Sequence, residues 1–279
     1  MEEIADMKIF VLSSEECRNK NLNNGDCFVI DNGKKLVIYD CGCYDYADWI
    51  MNYMDAHNYE KVTVVLSHND DDHFKGLERL LRYNKVDIIH TVLLLKYKEE
   101  LLNIIDDGRK NRKSIGNQII HIYDNVAELS GVPLKDAFIN IYVADGVTIV
   151  GPGEEYVLKA AAKGLDTTVG DTIDNVTITN ATSIHLEVCA NGKKVLLTGD
   201  SSFESVMMEN LNEYDYIQLP HHGNAEIAEK IINELGNMHD VTYIVSDNTG
   251  DSNGGSDKLK GYGCDIRNTK NDGLIKLQL

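Results

Sequence analysis

The run His68-Asn69-Asp70-Asp71-Asp72-His73 places two imidazoles and three carboxylates within six residues. It follows an apolar, β-branched stretch, Val62 to Leu66, and Gly76-Leu77 then opens a segment with the spacing of an amphipathic helix. Carboxylates gathered at a buried strand end repel one another and lose hydration, so the pattern points to a bound divalent cation. The plain alternative is a solvated acidic turn that holds two histidines.

Three further apolar segments end in the same chemistry. Leu36 to Tyr39 runs into Asp40, Val195 to Leu197 into Thr198-Gly199-Asp200, and Tyr216 to Leu219 into Pro220-His221-His222-Gly223. A single aspartate after a strand is usually a turn residue or a helix cap. Four strands that all terminate in Asp or His are different, because strand ends in an α/β sheet share one edge, where such folds place their chemistry.

The elements that would position these groups follow from periodicity and turn signals. Strands are predicted at Lys8–Leu12, Cys27–Asp31, Lys35–Asp40, Val62–Leu66, Ile88–Leu95, Thr177–Thr179, Ile184–Ala190, Lys194–Leu197, Tyr216–Leu219 and Val241–Val245. Asn32-Gly33 and Asn191-Gly192 signal hairpins. Helices are predicted over Tyr46–Ala56, Phe203–Asn210 and Ala225–Leu235, with a mostly helical insertion over about 99–129. Each half reads as a hairpin followed by alternating helix and strand, which predicts two sheets packed face to face with helices outside, in one domain over 1–279.

Composition narrows the function. The chain has 279 residues, 43% of them hydrophobic, only 3 prolines and a net charge of −18. Such a surface repels polyanions, which argues against avid duplex DNA binding but leaves phosphate-containing substrates open. The N-terminus has no apolar signal region and no apolar stretch approaches a bilayer span, so a cytoplasmic protein with no membrane partner is expected. The one basic cluster, Arg109-Lys110 with Arg112-Lys113, reads as a solvated loop or a phosphate-contacting lid. Six scattered cysteines form neither a disulfide framework nor a zinc knuckle, and redox chemistry is not expected of them.

On these motifs the chain resembles the metallo-β-lactamase fold superfamily. The family's His-x-His-x-Asp-His signature corresponds to His68-x-Asp70-x-Asp72-His73, with aspartate in place of the second histidine. That variant, with Asn24-Gly25-Asp26-Cys27, Leu197-Thr198-Gly199-Asp200 and Pro220-His221-His222-Gly223-Asn224, is most similar to the hydrolase domain of the competence DNA-uptake (ComEC-type) proteins and their free-standing relatives. Asn268-Thr269 followed by Asp272-Gly273-Leu274-Ile275 is similar to that subfamily's final hairpin.

The resemblance implies an α/β, four-layer αβ/βα sandwich and two divalent ions, zinc or manganese. It implies His68 and Asp70 on one ion, Asp72 and His73 on the other, Asp200 bridging, and His222 or His221 completing the second, with His222 favoured. His221 would then assist the leaving oxygen, and Asp72 and Asp200 would hold the attacking hydroxide between the ions. Asp40 would orient ligands from behind, and Ser183 or His185 would stand where the family's third-motif histidine lies. Asp70 in place of an imidazole shifts preference towards harder ions. The implied activity is a phosphodiesterase or nuclease acting on short or single-stranded nucleic acid, a nucleotide or another small molecule. Lactone, thioester or amide hydrolysis is the alternative within enzymes, and a metal-binding effector or sensor with weak turnover the alternative outside them. The sequence leaves oligomeric state open.

Overall fold

Strand β1 (Lys8–Val11) and the following Leu12 send Ile9 and Val11 to one face and Phe10 and Leu12 to the other, and all four are buried. Side chains alternate along a strand, so an uninterrupted apolar run signals a sheet covered on both faces. The computed structural model describes residues 7–20, 22–92, 94–105, 111–117, 131–138, 140–166, 172–173, 175–236, 240–248, 256–259 and 262–279.

The first sheet also contains β2 (Phe28–Asp31), β3 (Leu36–Tyr39), β4 (Val62–Val65), β5 (Val86–Thr91) and β6 (Leu134–Asp136). The second contains β7 (Ile141–Ala144), β8 (Val147–Gly151), β11 (His185–Ala190), β12 (Lys193–Leu197), β13 (Tyr216–Gln218), β14 (Thr242–Val245) and β15 (Asp265–Asn268). β9 (Thr172–Ile173) and β10 (Val176–Thr177) form a small separate pair. The last strand, β16 (Ile275–Gln278), returns to the first sheet beside β1, giving the order β16-β1-β2-β3-β4-β5-β6 against β15-β14-β13-β12-β11-β8-β7. Both sheets are mixed: β3 to β6 are parallel, as are β12 to β15, and the hairpin strands are antiparallel.

One core fills the space between the sheets, with Ile9, Phe28, Ile30, Val37 and Tyr39 facing Ile149, Leu186, Val188, Val195 and Leu197. A second lies under α1 (Tyr44–His57) and α3 (Leu77–Arg82), which cover the first sheet. A third lies under α10 (Ala225–Leu235), whose Ile227, Ala228, Ile231, Ile232 and Leu235 form the apolar stripe that covers the second sheet. The layers are therefore helix, sheet, sheet, helix, as predicted.

Several predicted elements change. Thr177–Thr179 is a strand only to Thr177; its side chain caps Asn180 N, so α7 (Ile178–Ala181) begins there. The Phe203–Asn210 helix is a single turn, α8 (Phe203–Val206), started by Ser202 as cap. The tail is not a hairpin: β15 and β16 belong to different sheets, and α11 (Thr269–Asp272) carries the chain between them. Helix α6 (Glu154–Asp166) and the β7–β8 hairpin were not predicted. In the insertion, α4 (Lys98–Ile104) and residues 112–117 are helical, and 118–130 lie outside the described residues. Of the basic cluster, Arg112 pairs with Glu99 of α4 at 2.8 Å, while Arg109 and Lys110 lie outside the described residues.

Candidate metal centre

The C-terminal ends of β3, β4, β12, β13 and β14 meet at one edge of the paired sheets. They deliver Asp40, Ser67-His68, Asp200, His221-His222 and Ser246 respectively. The halves are joined at this edge: Ile184 N donates to Ser67 O at 3.0 Å, and Tyr39 Oη donates to Ile184 O at 2.6 Å. After β4 the chain turns into α2 (Asp71–Phe74), a single helical turn that presents Asp72 and the fully buried His73.

Three imidazoles are oriented alike. His73 Nδ1 donates to Asp40 Oδ2 at 2.8 Å. His222 Nδ1 donates to the Ser246 carbonyl at 3.0 Å. His68 Nδ1 lies 3.0 Å from Ser67 Oγ and 3.2 Å from Ser183 Oγ. Ser67 uses its own proton on Asp40 Oδ2 at 2.6 Å, so its contact with His68 leaves the ring nitrogen as donor. With Nδ1 engaged, each ring turns Nε2 to the carboxylates at this edge, His73 lying between His68 and His222, the arrangement of metal-ligating histidines.

The carboxylates meet them there. Asp200 Oδ1 is 3.4 Å from His73 Nε2, and Oδ2 is 4.0 Å from His222 Nε2 and 3.9 Å from His221 Nε2. Asp72 Oδ2 is 3.2 Å from His222 Nε2. Ligand atoms of His68, His73 and Asp200 lie within 4.8 Å of one another, and so do those of Asp72, His73 and His222. Among the described residues, His68 Nε2, His73 Nε2 and Asp200 Oδ1 are buried without a hydrogen-bond partner, which a protein rarely tolerates unless something else binds there.

The electrostatics agree. Burial opposes the charged form of His73 and His222, yet Asp200, joined by Asp40 for His73 and by Asp26 for His222, raises both well above the ordinary histidine range. Burial likewise opposes ionisation of Asp72 and Asp200, yet the imidazoles hold both carboxyls below the usual range. The centre carries a strongly negative potential that retains protons where a divalent cation would replace them. The donor set thus fits a divalent metal.

Residues 21–246 match the profile of the metallo-beta-lactamase superfamily. The chain belongs to that superfamily. Among solved structures it is similar to the metallo-beta-lactamase fold protein YhfI from Bacillus subtilis, at 16% identity over 98% of this chain and 99% of that one, with a TM-score of 0.54. It is also similar to Igni18, a metallo hydrolase from Ignicoccus hospitalis, at 10% identity over 98% and 99%, with a TM-score of 0.49. A diphosphatase of the PhnP family shares 12% identity over 98% of each chain, with a TM-score of 0.47. No curated protein matches the chain in sequence. Likeness at this identity shows the fold alone.

The remaining predicted residues of this metallo-β-lactamase-fold chain fall in distinct places. Asp70 is at the rim, its side chain 46% exposed and 3.7 Å from His68 Nε2, outside the converging groups. Asp40 is fully buried and holds Ser67 N, Ser67 Oγ and His73. Ser183 Oγ backs His68 and accepts from Asp200 N at 3.2 Å. His185 does not face the centre: its nitrogens engage Glu209 at 2.9 Å and Ser201 Oγ at 2.8 Å. His221 is half-buried beside Asp200.

Sequence reasoning missed a ring of polar supports. Fully buried Asp26 lies 3.1 Å from His222 Nδ1. Asn23 donates to Asp72 Oδ2 at 2.7 Å and is itself held by Asn248, and Asn180 donates to Asp200 Oδ2 at 3.2 Å. Gln218 holds Thr198 N, Gly199 N and Asp26. Asp26 was signalled by the Asn24-Gly25-Asp26-Cys27 motif; the amides had no signal of their own.

The local backbone is specialised. His221 and His222 both have φ of 53°, in the left-handed region that disfavours side chains. Gly25 (φ +68°) packs so tightly on the Asp72 carbonyl that a Cβ there would lie 1.5 Å from its oxygen. Glycine is required by contact as much as by conformation.

Proposed function

We propose that this protein is a divalent-metal-dependent phosphodiesterase, related to the ComEC-type hydrolases, that acts on short or single-stranded nucleic acid, a nucleotide or another small phosphoryl ester. The observation that carries the metal reading is the shared orientation of His68, His73 and His222, each with Nδ1 held and Nε2 turned to buried carboxylates. The phosphoryl reading rests on the resemblance of His68-x-Asp70-x-Asp72-His73, with aspartate in place of the second histidine, to the ComEC-type hydrolases, and on a carboxylate-rich donor set suited to hard ions and charged phosphoryl oxygens.

In this reading His68 and Asp70 would hold one ion, and Asp72, His73 and His222 a second. Asp200, whose two oxygens face different imidazoles, would serve both. Zinc and manganese are the candidates, the carboxylate share favouring the harder manganese. When bound, the ions supply Lewis acidity to a phosphoryl oxygen and acidify water.

The chain's own contribution is orientation and proton handling. Asp40 and the Ser246 carbonyl fix the rings of His73 and His222, and Asn23 and Asn180 fix the carboxylates of Asp72 and Asp200. His221, half-buried and 3.9 Å from Asp200, would assist the leaving oxygen through Nε2 in this reading.

A panel of a bis-aryl phosphodiester, a short single-stranded DNA, a cyclic dinucleotide and a lactone, each assayed with manganese and with zinc, tests the proposal. Turnover of a phosphodiester is expected. Turnover of the lactone alone overturns the phosphoryl reading, and no turnover with metal bound favours a sensor or effector.

A further inference from the structure

The sequence scatters its cysteines, but the fold brings two of them together. Cys17 follows the short turn after β1, and Cys43 is the residue at the N-terminus of the fourteen-residue helix α1. Their sulfurs lie 3.3 Å apart, both as free thiols. A bond between them requires closure by only about 1.3 Å. Cys17 is buried, whereas Cys43 is partly open to solvent.

We propose that Cys17 and Cys43 form a redox-active dithiol, with Cys43 the attacking thiol and Cys17 the resolving one, oxidised by a low-molecular-weight disulfide. The two positions differ as those roles require. The contact with Cys17 and the amides of Tyr46 and Asp45 at the start of α1 hold the Cys43 thiol below its ordinary range. The same contact, with burial, pushes Cys17 up and keeps it protonated.

In the first step the Cys43 thiolate attacks one sulfur of the small disulfide. Its S–S bond breaks, and one small thiolate leaves with the electron pair and takes a proton. Once Cys43 is in a mixed disulfide, the main cause of the elevated Cys17 value is gone. Cys17 then loses its proton to solvent and attacks Cys43 Sγ, releasing the second small thiolate. Two protein thiols are oxidised by two electrons, and one small disulfide becomes two small thiols.

The pair is built into the support of the metal centre. Between Cys41 and Cys43, Gly42 N donates to Asp26 O at 3.0 Å, and Cys41 N donates to His73 O at 2.7 Å. A Cβ on Gly42 would lie 2.2 Å from the Asp72 carbonyl oxygen. The dithiol therefore anchors one end of the segment on which Asp26, Asp72 and His73 rest. The inference does not depend on the substrate proposed above.

The test uses the full-length wild-type protein in glutathione buffers of graded ratio, followed by alkylation and peptide mass spectrometry. Oxidising buffers are expected to give a linked Cys17–Cys43 peptide pair, reversed by dithiothreitol, with alkylation of Cys43 reduced about tenfold before Cys189 or Cys264 reacts. Cys17→Ser should stop at a glutathione adduct on Cys43, and Cys43→Ser should form neither adduct nor link. Continued alkylation of both wild-type thiols, or a link joining any other pair, overturns the proposal whether or not the variants fold.

Discussion

Nδ1 of His222 lies 3.1 Å from Oδ1 of Asp26, a carboxylate from the first half of the chain placed behind an imidazole from the second. Gln218 donates to the other oxygen of Asp26 at 2.7 Å, which holds the carboxylate behind the ring. Asp26→Asn retains the bond to Gln218 and removes the charge behind His222. A loss of about tenfold in divalent-metal affinity is expected, measured by competition with a chromophoric chelator, with the circular dichroism spectrum unchanged.

Asp200 turns Oδ1 to His73 and Oδ2 to His221 and His222. Protein purified without chelator is expected to hold two divalent ions per chain by elemental analysis, and Asp200→Ala fewer. A full complement in Asp200→Ala refutes the bridging assignment.

The left-handed conformation of His221 and His222 costs the folded chain on the order of 1 kcal/mol per residue. Glycine pays no such penalty. With chelator present, His221→Gly should retain or raise the melting temperature, whereas His222→Gly loses the ring's contacts with Ser246, Asp72 and Asp26 and should lower it. With metal they should separate: His222→Gly loses bound ion, while His221→Gly keeps it and loses roughly 100-fold in kcat. Loss of metal from His221→Gly instead would exchange the two roles.

Gly25 sits against the Asp72 carbonyl at a distance no Cβ accommodates. Gly25→Ala must displace α2 or the loop before β2, and a destabilisation of about 3 kcal/mol or more is expected in urea unfolding. Near-native stability would mean that the two backbones separate easily.

His90 on β5 is buried, and its Nδ1 has no hydrogen-bond partner among the described residues. Burial, helped by Lys135, pulls its pKa down to about 4. The unfolded chain takes up this proton near the ordinary value of about 6.5 and the folded chain does not, so stability is intact above that value and falls as pH drops towards 4. His90→Phe should flatten the fall between those limits by up to about 1.4 kcal/mol per pH unit, read from urea unfolding at a series of pH values.

The paired sheets were legible because strands such as Leu36–Tyr39 and Val195–Leu197 are apolar on both faces and end in turn residues. The centre was legible because Asp40, His68, Asp200 and His222 each terminate such a strand. What escaped was set by tertiary contact. His185 has the sequence context of a site residue, but Glu209 and Ser201, brought up by the loop after β12, satisfy it away from the centre. Asn268-Thr269 reads as a hairpin turn, yet Thr269 Oγ1 bonds the backbone of Asp247 and ties the tail to the second sheet before it crosses back. The nearness of Cys17 and Cys43 depends on how α1 docks against the loop after β1, which spacing does not encode.

The pairing of β16 with β1 has a further consequence for the chain as it is made. Until residues 275–278 have been synthesised, β1 presents an unpaired edge, open to other strands. Alternating apolar side chains along Ile9 and Val11 make that edge adhesive. A nascent or truncated chain that stops short of β16 is therefore the species most prone to aggregate, and peptides matching residues 275–278 are its natural competitors for the open edge.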